Sequence, residues 1–139
     1  MTAEHSAFWD DLAEDLQDPE FLRHYVVESI RVATIDRIVN ELDEAREAAD
    51  LSKAALARAI SADPAVVRRL FSAKHVNPTL GTLAEVAAAL GKRVTLEPLP
   101  PAERESVTEP LLDGRAADTR ALAQHLTELR DGTSQPTAA

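Results

Sequence analysis

Two adjacent arginines, Arg68 and Arg69, stand four and five residues beyond a proline in Asp63-Pro64-Ala65-Val66-Val67-Arg68-Arg69. A guanidinium carries donors in a fixed fork that matches phosphate oxygens or the O6 and N7 acceptors of guanine. Asp63 as cap and Pro64 at the first helical position predict a helix start here, running to about Ser72. Arg68 or Arg69 would then sit within the first turns, where base edges come within reach, and small apolar Ala65 and Val66 could touch thymine methyls. Ser52 and Asp63 each mark a helix N-terminus, whose free N–H groups can receive a phosphate. Lys53, Lys74, His75 and Asn77 flank the basic helix and suit phosphate contacts, which position a protein on DNA without reading sequence.

No other arrangement of residues offers chemistry of comparable sharpness. His5, His24, His75 and His125 lack metal-ligand spacing, and the chain has no cysteine for a thiolate site or a disulfide. The carboxylates, though plentiful, are not grouped with His or Ser in a catalytic pattern, so neither an enzyme nor a cofactor is expected. No apolar run reaches the ~20 residues of a membrane helix, and no signal peptide opens the chain. Together these features predict a cytoplasmic protein.

The net charge of −9 over 139 residues argues at first against nucleic acid. Its distribution reverses that inference. Met1–Leu51 holds 4 basic and 14 acidic residues, Ser52–Arg93 holds 7 and 2, and Val94–Ala139 holds 4 and 8. A centre of +5 thus lies between acidic flanks. The flanks should weaken sequence-independent attraction to phosphate, leaving binding dependent on base contacts and dimerisation.

Helices must position these residues. Phe8, Trp9, Leu12 and Leu16 recur at helical spacing; Asp18-Pro19-Glu20 starts a second helix continued by Phe21, Tyr25, Val26 and Ser29. The four aromatic residues suit either a core or an interface. The β-branched stretch near Ile30–Ala33 is compatible with one long helix or two. Ile35, Ile38, Val39, Leu42, Ala45 and Ala49 form a further apolar stripe. Ser52 caps Lys53–Ile60, with Leu56, Ala57 and Ile60 inward; Val67, Leu70 and Phe71 face inward from the next helix. Asn77-Pro78 marks a turn, Thr79 or Gly81 opens a helix carrying Leu83, Val86, Ala87 and Leu90, and Gly91 stops it. Arg93–Glu97 alternates polar and apolar residues and predicts a short strand. Val94, Thr95 and Leu96 are the candidate dimer contact, since a lone edge strand seeks a partner. Pro98, Pro100 and Pro101 break regular structure, Ala102–Gly114 reads as linker, Ala117–Arg130 as a helix with Leu122, Leu126 and Leu129 inward, and Gly132–Ala139 as a frayed tail.

Two short helices joined by Ser61-Ala62, the second one basic, have the spacing of a helix-turn-helix. Leu56-Ala57-Arg58-Ala59-Ile60-Ser61-Ala62-Asp63-Pro64-Ala65-Val66-Val67-Arg68-Arg69-Leu70 resembles, without a gap, the central pattern of the lambda-repressor-like (XRE-type) helix-turn-helix family. Arg46 with Ala48–Ser52 resembles the end of that family's first helix, and Asn77–Leu80, Thr82-Leu83 and Ala88–Gly91 resemble its fourth. The resemblance covers roughly Ile35 to Leu96. Three positions depart from the pattern: Ser61 replaces the usual turn glycine, Lys53 a common Gln, and Asp63 a common Ser.

The resemblance implies an all-α helix-turn-helix bundle with extra N-terminal helices, one short C-terminal strand, and a C-terminal helix after a Pro-rich linker. The regions expected are 1–34 (acidic helical extension), 35–97 (DNA-binding domain) and 98–139 (linker, short helix and tail). The implied activity is sequence-specific transcriptional regulation, as a homodimeric repressor on double-stranded, palindromic operator DNA. The acidic N-terminal helices with Asp18-Pro19-Glu20-Phe21, the motif, and Lys92–Leu96 together resemble antitoxins of HigA-like toxin–antitoxin pairs. That resemblance implies a cognate toxin as a further partner. The alternative is a protein chiefly devoted to neutralising a basic toxin through its acidic N-terminal region, with DNA binding secondary.

Overall fold

A computed structural model describes residues 3–72 and 76–132. Candidate residues Lys74 and His75, and the tail from residue 133 onward, lie outside them. The described chain is helical: α1 (Ala3–Asp15), α2 (Pro19–Ala48), α3 (Lys53–Ala59), α4 (Pro64–Ser72), α5 (Leu80–Ala89), α6 (Pro101–Glu103), a π-type turn (Arg104–Thr108), α7 (Glu109–Asp113) and α8 (Thr119–Asp131). It divides into two compact units, one drawn from Met1–Ala33 and Pro98–Ala139, the other from Thr34–Glu97.

In the first unit the two ends of the chain share one core. Trp9, Leu12 and Leu16 recur at helical spacing and pack with Leu22 and Val26 of α2, Val107, and Leu122, Ala123 and Leu126 of α8. Of the aromatic residues left open by the sequence, Trp9 is buried, Phe21 and Tyr25 are partly buried and stacked at 5.8 Å, and Phe8 is exposed. Arg23 of α2 donates from Nε and Nη2 to the carbonyls of Leu111 and Leu112, at 2.9 and 3.0 Å. Those two carbonyls lie at the end of α7, where the helix itself supplies no donor. Gly114 follows at φ 74°, and a Cβ there would lie 3.1 Å from the Arg23 guanidinium. Arg130 donates to the buried Ser29 hydroxyl at 2.7 Å and lies over the Tyr25 ring at 4.7 Å, while Arg120 pairs with Asp10.

Two expectations are corrected here. The stretch Ala102–Gly114, read as linker, is helical through Asp113. Pro101 opens it without loss, because the first N–H of a helix has no acceptor. Val107, Pro110 and Leu111 then fall on one face and pack into or against the core. Pro110 cannot donate to the preceding turn; the π-type turn just ahead widens the helix, with Glu109 N–H bonded to Arg104 C=O. Arg93–Glu97 is not a strand: among the described residues no segment lies beside it to form a ladder, and its side chains are exposed. Alternating polarity marks a sequence able to pair, but pairing needs a second edge.

In the second unit, Val39 and Leu42 of α2, Leu56 and Ala57 of α3, Val67 and Leu70 of α4, and Leu83, Val86 and Ala87 of α5 form the core. α2 runs without a break through Ile30–Ala33. Its end is closed by hydrogen bonds from Leu51 N–H to Arg46 C=O and from Asp50 N–H to Glu47 C=O. α3 ends in the same pattern at Ser61 and Ala62, and α5 at Gly91 and Lys92. Such a closure puts one residue in the left-handed region. Glycine fills it at Gly91 (φ 76°), but Asp50 (φ 56°) and Ser61 (φ 55°) fill the other two.

Candidate nucleic-acid interface

The site is built from α3, the turn Ile60–Asp63, and α4. Ser52 Oγ accepts the Ala55 N–H at 3.0 Å, which starts α3 and leaves the hydroxyl proton available as a donor. Asp63 Oδ1 accepts the Ala65 N–H at 2.8 Å and starts α4 at Pro64. That carboxylate occupies the very end of α4 that would otherwise attract a phosphate, whereas the residue that starts α3, Ser52, is uncharged. Val67 and Leu70 anchor the inward face of α4. The opposite face carries Ala65, Arg68, Arg69 and Ser72 around one shallow depression.

Arg68 and Arg69 are exposed and, among the described residues, neither has a carboxylate partner. This separates them from two other basic groups of the unit. Lys92 pairs with Glu41 at 3.8 Å. Arg46 is mostly buried, donates to Asp43 at 2.9 Å and to the Leu51 carbonyl at 2.7 Å, and lies 5.8 Å from the Phe71 ring centre. It braces the end of α2 against the end of α4 and is not available to DNA.

The remaining candidates divide between two places. Lys53 is half-buried, with Nζ 3.3 Å from Ser72 Oγ, so the start of α3 and the end of α4 meet there. Val66 is half-buried and lines a groove of about 330 Å³ with Arg69, Leu70, Val76, Asn77, Pro78 and Thr82. The structure therefore brings Asn77 beside Val66 and Arg69, while Ala65 and Arg68 belong to the other side of Arg69. Val94, Thr95 and Leu96 are exposed in the irregular segment after α5.

Sequence reasoning passed over Ser72 and Thr82. Ser72 follows Ala65 by seven positions and Arg68 by four, a helical spacing that places all three on one face. Thr82 lies on the turn beyond Asn77 and offers no comparable signal. Arg46 was legible as the end of a helix but not as a brace, because its partner Phe71 lies twenty-five residues away.

The unit Thr34–Glu97 carries nine basic and nine acidic residues. Six of its acids lie between Asp36 and Asp50, whereas Ser52–Arg93 has seven bases and two acids. The unit is neutral in sum and polarised along the sequence, and two of its arginines without an ion pair among the described residues stand side by side on α4.

Residues 42–96 match the helix-turn-helix family HTH_3. This part of the chain is an XRE-type, lambda-repressor-like helix-turn-helix domain, the DNA-binding module of transcription regulators of that type. Comparison with curated proteins and with solved structures found no match. No helix among the described residues is long and apolar enough to cross a membrane.

Proposed function

We propose that the protein is a sequence-specific transcriptional repressor that binds a palindromic operator as a homodimer and reads the major groove with α4. The observation that carries this reading is the pair of exposed, unpartnered arginines on α4, beside Ala65 and Ser72. Two such helices would enter successive major-groove faces about one DNA turn, ~34 Å, apart. Ser52 at the start of α3 suits a phosphate, and Asn77 extends the contact from the groove beside Arg69. Gel mobility shift on DNA upstream of the protein's own gene tests the reading. Arg68→Ala and Arg69→Ala should each weaken specific binding by about 10- to 100-fold, equivalent to ~1–3 kcal/mol per bidentate guanine contact. Equal affinity for random DNA in the parent protein, or unchanged affinity in the double variant, would remove it.

A second activity, neutralising a basic toxin, is favoured by one observation. The unit formed by the two chain ends holds six basic and fifteen acidic residues, so it accounts for the whole net charge of −9. A field of that sign attracts a positive protein surface and repels DNA. Co-purification with a small basic protein encoded next to this gene is the expected result; absence of any such neighbour leaves a stand-alone regulator.

A further inference from the structure

Three cationic side chains gather near one hydroxyl where the start of α3 meets the end of α4. Ser72 is the last residue of α4 and is exposed. Lys53, the first residue of α3, donates from Nζ to Ser72 Oγ at 3.3 Å. Arg69 and Arg68 precede Ser72 by three and four positions, the spacing of neighbours on a helix surface. Both line the same shallow depression as Ser72, together with Ala65, and no carboxylate is among these lining residues. Among the described residues none of the three cations has an ion-pair partner. Three positive charges thus stand beside one neutral oxygen.

We propose that Ser72 is a phosphorylation site, and that the phosphoserine turns off DNA binding by drawing Lys53, Arg68 and Arg69 onto itself. The inference rests on the repressor reading above and supplies its regulation. Arg68-Arg69-Leu70-Phe71-Ser72 carries its bases three and four residues ahead of the hydroxyl, a pattern complementary to a protein kinase whose peptide cleft is acidic. In the transfer, Ser72 Oγ attacks the γ-phosphorus of kinase-bound ATP. The Oγ–P bond forms as the bond from that phosphorus to the bridging oxygen breaks. ADP leaves with the electron pair, and the hydroxyl proton passes to a kinase carboxylate. Hydrolysis by a phosphatase returns the hydroxyl and inorganic phosphate.

The balance of charge decides the effect. A phosphoserine carries about −1.5 to −2 at neutral pH and three acceptor oxygens, enough to cancel more than half of the local positive charge. The C-terminus of α4 opposes an anion with only about half a negative charge, spread over its last carbonyls. Charge-assisted bonds from one lysine and two arginines outweigh that opposition. The same bonds withdraw both guanidinium groups from guanine, and the dianion faces the phosphates of any duplex laid against α4. One modification removes an attraction and adds a repulsion.

The full chain with phosphoserine inserted at position 72 during translation tests the switch. Its affinity for DNA upstream of its own gene should fall on the order of 100-fold against the parent, and phosphatase treatment of the same sample should restore it. In phosphorus NMR the phosphoserine should titrate at lower pH in the folded chain than in urea, and Lys53→Ala should move it back toward the unfolded value. Incubated with labelled ATP and an extract of the cells that make it, the parent should take up label at Ser72, and Arg69→Ala about tenfold less. No label at Ser72 overturns the proposal and leaves its hydroxyl as a DNA contact. A titration that ignores both folding and Lys53→Ala shows that the cations do not hold the phosphate, and overturns the mechanism. A phosphoserine chain that binds DNA as tightly as the parent refutes the switch while the repressor stands. A parent that ignores this DNA removes the repressor, whereas label at Ser72 and the phosphorus shift still uphold the modified site.

Discussion

Among the described residues the two units bury cores of nine side chains each and differ in how far their polar bonds reach along the sequence. In Thr34–Glu97 most polar bonds are local: Ser52, Asp63 and Thr79 start helices by bonding to backbone two or three residues on, and three helix ends close on their own last turn, with Lys53 to Ser72 and Lys92 to Glu41 as the longer contacts. In the other unit, beside local bonds such as the Asp118 cap, three arginines span the sequence, from Arg23 to Leu111, from Arg130 to Ser29 and from Arg120 to Asp10. The charges differ as well, balanced in Thr34–Glu97 and −9 in the unit formed by both chain ends. The difference separates two tasks. A recognition helix must be aimed, and short-range caps aim it irrespective of distant packing. An acidic unit made of both chain ends depends on closure.

The largest test of this contrast deletes a buried leucine from each core. Leu56→Ala and Leu126→Ala, both fully buried, should each lower stability by about 2–5 kcal/mol in urea unfolding. Leu56→Ala should also depress DNA affinity, whereas Leu126→Ala should leave it intact while the protein remains folded. Equal loss of DNA binding in both would show that the helix-turn-helix leans on the acidic unit. Gly114→Ala comes next. It forces a side chain into φ 74° and against the Arg23 guanidinium, whose two carbonyl bonds must shift; ~1–3 kcal/mol should be lost, with DNA binding unchanged.

Smaller effects probe the local devices. Ser52→Ala removes the α3 cap and should cost about 1 kcal/mol of thermal stability, together with a weaker grip on DNA if the hydroxyl donates to phosphate. Ser61→Gly should work the other way, raising stability by about 0.5–1 kcal/mol, because the residue already sits at φ 55° where a Cβ is strained. A fall in melting temperature for Ser61→Gly would mean that the Ser61 side chain supplies something the backbone does not reveal.

The same contrast explains what could be read from the sequence. Helix starts at Pro19, Lys53 and Pro64, and the inward residues Leu56, Val67, Leu70, Leu83 and Val86, follow from signals a few residues apart. The exposed arginines of α4 are legible for that reason too. The helical stretch at Pro101–Asp113 was hidden, because three prolines in four positions read as a break and the packing partners lie on α2 and α8. The strand at Arg93–Glu97 was over-read for the complementary reason: alternation is local, whereas a ladder partner is not.

The assembly of the first unit from both ends of the chain sets an order in time. Once synthesis has passed Glu97, every core residue of the helix-turn-helix unit has been made, but Val107, Leu122, Ala123 and Leu126 of the other core have not. At ~5–20 residues per second the stretch from Pro98 to Asp131 takes several seconds more. During that interval Trp9, Leu12, Leu16, Leu22 and Val26 have no α8 to cover them, so the core of the helix-turn-helix unit is complete in sequence while the acidic unit is still open to chaperones and proteases.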